Sequence, residues 1–265
     1  MTNFIQTSET SRMVRRISLA AIIGATITSA ACGTKEAAGP LAPEGTQGRV
    51  RFVTLITDTT RGRVNAILEQ VPFGVNMTYT TATPASLPSP ATANYSAVLT
   101  GSRTLVLKRT ADTNTTVATF TLTIAENQDR TVYAIGGAGG SAITSFQTVD
   151  DNALPTAPNA KLRVVHLSPA AGAVDIFITA PNADLAAATP TFANAAYQTA
   201  TTYLTPAAGT YQFRAVPAGT PPANRAGAVL ISTNVTLTAG TVRTIVTADR
   251  SIGGAPSQAF VLTDR

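Results

Sequence analysis

Short runs of alternating apolar and polar residues dominate the chain from residue 49 onwards and predict β-strands. Residues 161–178 read KLRVVHLSPAAGAVDIFI, in which two apolar segments flank a Ser-Pro-Ala-Ala-Gly turn. A divergent version of the same pattern occupies residues 49–68. The first strand of each version has apolar residues on both faces, so we expect it at the centre of a packed sheet.

The correspondence between the two halves continues beyond these strands. Tyr95 matches Tyr203 at a shift of 108 residues, and so do the turn glycine and the alternating apolar residues that follow each tyrosine. This combination predicts a hairpin arm in each half. Towards the end of each half, one strand turns into the next at Asn127 or at Gly240, and we interpret both strand pairs as β-hairpins.

About seven short strands in each half, with turns about every ten residues, predict an all-β fold of two tandem antiparallel β-sandwiches, immunoglobulin-like or transthyretin-like. The first sandwich is assigned to residues 49–151 and the second to residues 161–265. Residues 152–160 contain two prolines and are expected to form a short, semi-rigid linker. The composition agrees with this fold, because charged residues make up only 12% of the chain and apolar residues 44%.

The N-terminus predicts a secretory signal peptide at residues 1–31. Three arginines between positions 12 and 16 precede the apolar segment 17–27, which is too short to span a bilayer. Ala31 is then the last residue before the cleavage position. Cys32, the only cysteine of the chain, follows it directly.

The small residues before Cys32 resemble the lipobox of bacterial lipoproteins, and we expect this cysteine to be lipidated. Ser29 departs from that pattern, because an aliphatic residue is usual there. The alternative is ordinary signal-peptidase cleavage, which leaves a free thiol. With the lipid, residues 32–48 form a flexible tether to a membrane surface. Gly33, rather than Asp, follows the cysteine, which favours the outer membrane over the inner one.

Charge and aromatic content narrow the range of partners. Removal of the signal peptide lowers the formal charge from +5 to +3, and the remaining charge is scattered, so no nucleic-acid partner is expected. The expected partners are the membrane, through the lipid, and an envelope protein or a glycan. The chain has no Trp, which weakens the case for sugar binding by aromatic stacking.

His166, Ser168 and Asp175 form the one constellation that suggests catalysis. A serine nucleophile needs an imidazole base and an orienting carboxylate. His166 and Ser168 lie two residues apart, but Pro169 marks the end of their strand and no G-x-S-x-G elbow presents the serine. We therefore expect no catalytic residue, and interpret the three as a polar cluster with a structural or ligand-binding role.

No metal or other cofactor is expected. One histidine and one cysteine exclude the usual zinc ligand sets. Asp150, Asp151 and Asn152, beside the linker, offer oxygen atoms of the kind that Ca²⁺ prefers, but their spacing matches no calcium-binding loop. Solvated turn residues are the preferred interpretation.

Three segments of the second half have a recognisable family pattern: RVVHLSPAAGAVDIFI, YLTPAAGTYQFRAVPAG and NVTLTAGTVRTIV. They resemble the bacterial family called domain of unknown function 4397, in which an RVxHxSP strand precedes an apolar-Asp-apolar strand. The resemblance covers residues 161–265 well and 49–151 as an eroded copy, which has Asn65 in place of Asp175. It implies an exported, often tandem β-domain of unestablished activity.

Together, these observations predict a non-enzymatic, lipid-anchored cell-envelope protein whose two sandwiches act as an interaction or structural module. Two alternatives stay open. One is a sugar- or peptide-binding surface lipoprotein, and the other is a hydrolase that uses His166 and Ser168. An enzyme would have these two side chains within hydrogen-bond reach at a pocket, whereas a binding protein would expose an aromatic or apolar patch on its loops.

Overall fold

Strands make up nearly all the regular structure of the computed structural model, which describes residues 45–84 and 94–265. The predicted all-β sandwich fold is confirmed. The described residues contain no helix long and apolar enough to cross a membrane. Ala31 and Cys32, with the predicted signal peptide and most of the tether, lie outside the described residues.

The strands fall into two successive sandwiches. The first contains β1 (Gln47–Ile56), β2 (Val64–Leu68), β3 (Val71–Met77), β4 (Ala82–Thr83), β5 (Ser96–Leu99), β6 (Gly101–Arg109), β7 (Asp112–Ile124), β8 (Asp129–Gly136) and β9 (Ile143–Asp150). The second contains β10 (Lys161–Leu167), β11 (Val174–Thr179), β12 (Phe192–Ala195), β13 (Thr199–Ala200), β14 (Gly209–Pro217), β15 (Ile231–Leu237), β16 (Val242–Ala248) and β17 (Gln258–Thr263).

Both sandwiches have the same strand order. One sheet runs β4-β1-β8-β9, with β5 also paired to β1, and its counterpart runs β13-β10-β16-β17. The opposite sheets run β3-β2-β6-β7 and β12-β11-β14-β15. The pairs β1–β8 and β10–β16 are parallel, and the other described pairs between strands are antiparallel. In an immunoglobulin sandwich, the first two strands belong to the same sheet. In this protein, β1 and β2 belong to opposite sheets, as do β10 and β11. The strand order therefore excludes the immunoglobulin-like type and leaves the transthyretin-like type.

The hairpins predicted at Asn127 and Gly240 are wrong. Both residues do lie at the bend and have positive φ, of 55° and 73°. However, β7 and β15 belong to one sheet of their sandwich, and the strands that follow them, β8 and β16, belong to the other. The two arrangements give the same local pattern, because a strand buries one face whether the turn joins neighbours or crosses between sheets.

The two sandwiches pack against each other through the sheets that contain β1 and β10, which we call the inner sheets. Along β1, Phe52 belongs to the core of the first sandwich, whereas Val53 and Leu55 belong to a separate apolar cluster. Val165 and Leu167 of β10 contribute to that cluster from the second sandwich. Both faces of each first strand are therefore buried because a second sandwich covers the face that points away from the strand's own core. All described residues accordingly belong to one compact unit.

Candidate functional site

His166 is a buried residue of β10 whose two ring nitrogens are both hydrogen-bonded. Nδ1 lies 2.6 Å from the Thr247 hydroxyl, and Nε2 lies 2.7 Å from the Gly172 carbonyl oxygen. A carbonyl oxygen only accepts, so Nε2 carries the proton, and in the neutral ring Nδ1 accepts from Thr247. Burial lowers the pKa of His166 and favours that neutral form. Neither nitrogen is left to take a proton from a serine.

Ser168 is fully buried, and its hydroxyl belongs to a network around Asp249, the residue after β16. The hydroxyl oxygen lies 2.6 Å from Asp249 Oδ1 and 2.7 Å from the hydroxyl of Ser257. The same carboxylate accepts backbone N–H groups from Ala170, at 3.1 Å, and from Gly254, at 2.9 Å. Asp249 therefore fixes the turn after β10 to the loop after β16, a role that no sequence pattern around Asp249 indicates.

Asp175 lies in the outer sheet of the second sandwich, apart from the other two candidates. Its Oδ1 accepts the backbone N–H of Asn194 at 2.8 Å, and its Oδ2 accepts that of Gly219 at 3.0 Å. These bonds join β12, an edge strand, to the turn after β14. In the first sandwich, Asn65 accepts the backbone N–H of Asn76 at 2.8 Å in the same way. The three candidate residues thus sit in separate networks and form no triad.

A closed ring of six buried side chains, which the sequence pattern did not predict, lies between the inner sheets. Each arginine pairs with the aspartate at the end of the other sandwich. Each aspartate accepts a hydrogen bond from the hydroxyl group of a threonine in its own sandwich. The oxygen of that hydroxyl group accepts a hydrogen bond from the arginine of the same sandwich. We call this set the Arg–Asp ring, and its members are Arg51, Thr131, Asp150, Arg163, Thr244 and Asp264.

The ring has approximate two-fold symmetry. Arg51 Nη2 lies 2.6 Å from Asp264 Oδ1, and Arg163 makes the equivalent ion pair with Asp150. Arg163 follows Arg51 by 112 residues, and the two aspartates are 114 residues apart. Reciprocal contacts of this kind are the pattern of an isologous interface, in which two equivalent surfaces bind each other. The matching positions of Arg51 and Arg163 in the first strand of each half are the sequence signal for the two arginines as a pair.

Aromatic rings and carboxylates together keep the buried arginines charged. The guanidinium carbon of Arg51 lies 4.6 Å from the centroid of the Tyr95 ring, and that of Arg163 lies 4.9 Å from the centroid of the Tyr203 ring. Burial acts against the charge of both arginines, but the nearby carboxylates outweigh it and raise the pKa of both. The chief compensating charge of each arginine is supplied by the opposite sandwich.

A cleft of about 210 Å³ lies at the other end of the same interface. The ring involves the first halves of β1, β8, β10 and β16, whereas the cleft lies where these strands end. Leu55 and Tyr79 of the first sandwich line it, as do Leu167 and Tyr197 of the second. His166 and Ser168 are not among the described residues that line it.

The acidic segment beside the linker is occupied by ion pairs. Asp150 pairs with Arg163 in the ring, and Asp151 Oδ2 lies 2.5 Å from Lys161 Nζ. The side chain of Asn152 donates to another carboxylate. Within the described residues, no group of three or more His, Cys, Asp or Glu side chains is placed to hold a metal ion.

Two of the solved structures to which this chain is similar resemble it only weakly. A family 41 carbohydrate-binding module from streptococcal virulence factors, whose structure concerns α-glucan recognition, is 8% identical, with 82% of this chain and 97% of that chain covered and a TM-score of 0.25. A leucine-rich repeat protein from Bacteroides thetaiotaomicron is 12% identical, with 81% and 26% covered and a TM-score of 0.18. TM-scores this low support no conclusion on fold or function.

The comparison with family models gives a match to the expected family. No curated protein matches the chain. The matched segment comprises all of the first sandwich and most of the first two strands of the second, so it lies mainly on the half that resembled the family less in sequence. Residues 48–177 match the model of a domain of unknown function, DUF4397, which supports the expected family for that part of the chain.

Proposed function

We propose that the protein is a non-enzymatic module of the cell envelope, attached to a membrane by a lipid on Cys32. The main support is the way in which the polar candidates are used. Both ring nitrogens of His166 are hydrogen-bonded within the fold, and the Ser168 hydroxyl is bonded to Asp249 and not to the imidazole. The buried ion pairs join two sandwiches and so suit a structural or interaction role.

Ester hydrolysis tests the hydrolase alternative directly. The purified protein, its Ser168→Ala variant and the heat-unfolded protein should hydrolyse p-nitrophenyl acetate at equal, low rates, because the buried serine is not bonded to the imidazole base of a catalytic triad. Circular dichroism would show that the variant is folded. A native rate at least tenfold above that of Ser168→Ala would instead favour the hydrolase.

The lipid anchor is tested at the mature N-terminus. Mass spectrometry of protein from bacterial membranes should show a chain that begins at Cys32 with acyl chains attached, since more than one acyl chain is needed for stable anchoring. Cys32→Ser should move the protein to the soluble envelope fraction. Density-gradient fractionation should place the wild-type protein in the outer membrane. An unmodified Cys32 thiol would contradict the anchor.

We further infer that both sandwiches are copies of the DUF4397 domain, at residues 49–151 and 161–265, joined by the linker 152–160. The identical strand order and the two-fold Arg–Asp ring support a common origin of the two halves. Limited proteolysis should cut the folded body first in this linker, where Leu154 is 52% exposed. Earlier cuts inside either sandwich would contradict these boundaries.

We propose an envelope protein, rather than a glycan, as the partner. Sugar-binding surfaces commonly use exposed aromatic rings, and the large apolar side chains that the described residues expose are all aliphatic: Val75, Val149, Leu154, Leu230, Ile252 and Val261. A glycan array probed with the full mature chain should therefore give no saturable signal. Saturable binding of one glycan class would favour the sugar-binding alternative.

A further inference from the structure

One difference between the sandwiches gives the cleft its space. In the parallel pair of the first sandwich, Leu55 lies beside Ile135. The equivalent pair in the second sandwich is Leu167 and Ala248. All four residues line the cleft, and the alanine side chain is three carbon atoms smaller than that of the isoleucine that matches it. The two sandwiches therefore cannot fill the end of their interface symmetrically.

The walls of the cleft disfavour an anionic ligand. The described lining residues include one residue with a charged side chain, Asp249, and no Arg, Lys or His. A carboxylate or phosphate would meet a negative charge without a compensating cation. The leucines and Ala248 belong to the apolar cluster between the inner sheets, so most of the wall suits an uncharged, apolar surface.

Four of the described lining residues carry a hydroxyl group, among them Thr57 and Tyr197. Thr57 donates its hydroxyl proton to the Gly136 carbonyl oxygen at 3.0 Å, so its own oxygen is left to accept a hydrogen bond. Tyr197 is half-buried, and its hydroxyl has no hydrogen-bond partner among the described residues. Apolar walls with a few convergent polar groups, placed between two domains, are typical of small-molecule sites.

The volume limits the size of the ligand. An engineered apolar cavity of about 150 Å³ in another protein binds benzene. At about 210 Å³, the cleft can hold a single ring with a small substituent, or a compact fused pair of rings. A disaccharide is larger and would bring many hydroxyl groups that these walls cannot satisfy.

We propose that the cleft is a binding site for a small, uncharged ring compound with one hydrogen-bonding group, of the kind represented by phenol and indole. The ring packs against Leu55, Leu167 and Ala248. Its polar group faces the hydroxyl of Tyr197. This inference goes beyond the proposed envelope role and does not depend on the lipid at Cys32.

The test is a titration of the full mature chain with phenol and with indole, followed by ¹H–¹⁵N NMR. We expect saturable shifts of the backbone amides of Leu55, Leu167 and Ala248, with a dissociation constant on the order of 0.1–1 mM, as suits a ligand of this size. Benzoate has a similar ring and a negative charge, and it should bind at least tenfold more weakly than phenol.

A matched pair of variants separates the cleft from other surfaces. Ala248→Ile gives the second sandwich the residue that the first already has, and should weaken indole binding at least tenfold. Ala187→Ile makes the same change at an exposed position and should leave the affinity unchanged. If circular dichroism shows that Ala248→Ile is unfolded, Ala138→Leu at the exposed rim takes its place, with at least threefold weaker binding expected. The absence of saturable shifts with either probe, or equal affinity in the rim or filled variant, overturns the proposal.

Discussion

Removal of Asp264 tests whether the Arg–Asp ring holds the two sandwiches together. Asp264→Ala takes away the carboxylate that lies 2.6 Å from the guanidinium of Arg51, whose side chain is only 1% exposed. Breaking a buried ion pair by removing one partner costs about 3–5 kcal/mol, because the remaining charge stays buried without compensation. The hydroxyl of Thr131 and the carbonyl of Thr263 still accept from Arg51. We therefore expect the lower end of that range, about 3 kcal/mol.

Urea and thermal unfolding, followed by circular dichroism, measure this loss. For a folded body of about 200 residues, 1 kcal/mol corresponds to about 2–4 °C in melting temperature, so Asp264→Ala should melt about 6–12 °C lower. Asp151→Ala is the matched control, because this carboxylate also pairs with a cation, Lys161, but is 61% exposed. Lys161 is itself only 11% exposed, but the solvated carboxylate keeps this pair closer to the value of surface pairs, about 0–1 kcal/mol, so the control should lose clearly less stability than Asp264→Ala.

A double variant distinguishes lost charge compensation from lost packing. Arg51→Met with Asp264→Leu removes both charges, and should regain most of the stability, because apolar replacement of a buried ion pair is often neutral or better. A loss below about 1 kcal/mol in Asp264→Ala, equal to that of Asp151→Ala, would refute the view that the ring stabilises the interface. A double variant as unstable as the single one would assign the loss to packing.

Three further predictions follow from the networks described above. Burial lowers the pKa of His166, so between that pKa and the ordinary value of 6.5 the unfolded chain binds a proton that the folded chain does not. The free energy of unfolding should therefore fall as the pH drops below about 6.5, by at most about 1.4 kcal/mol per pH unit. Urea titrations at pH 5 and 7.5 should show a weaker pH dependence for His166→Gln. If a protease site is inserted beside Leu154 and the chain is cut there, the two sandwiches should still elute together in size-exclusion chromatography. Separate elution would contradict a stable interface between them. Asp175→Ala deprives the N–H groups of Asn194 and Gly219 of their acceptor and should cost about 1–3 kcal/mol in urea unfolding, whereas Asp175→Asn should cost less; equal losses would contradict this account.

The strands could be predicted from sequence, and their partners could not. Alternation and turn residues are local properties, so both strands beside Asn127 were found, although they lie in different sheets. The apolar residues on both faces of β1 were also visible, but the pattern does not say what covers the second face. A charged residue such as Arg51 in a strand is ordinarily expected at the surface. Its burial depends on Asp264, which lies 213 positions later in the chain, beyond any periodic pattern.

Ser168, one of the three polar residues that first suggested catalysis, is better explained by one difference between the two halves. At the end of the central parallel pair, the first sandwich has Gly136 beside Ile56, and the second has Asp249 and Ser168 at the same positions. A buried carboxylate must be hydrogen-bonded, and Ser168 and the N–H of Ala170 supply donors from the turn. A glycine has no such requirement, so Ile56 is free to pack into the first core. The serine of the His-x-Ser-Pro motif is therefore needed only where the aspartate is present, which explains on physical grounds why the first half has no counterpart of it.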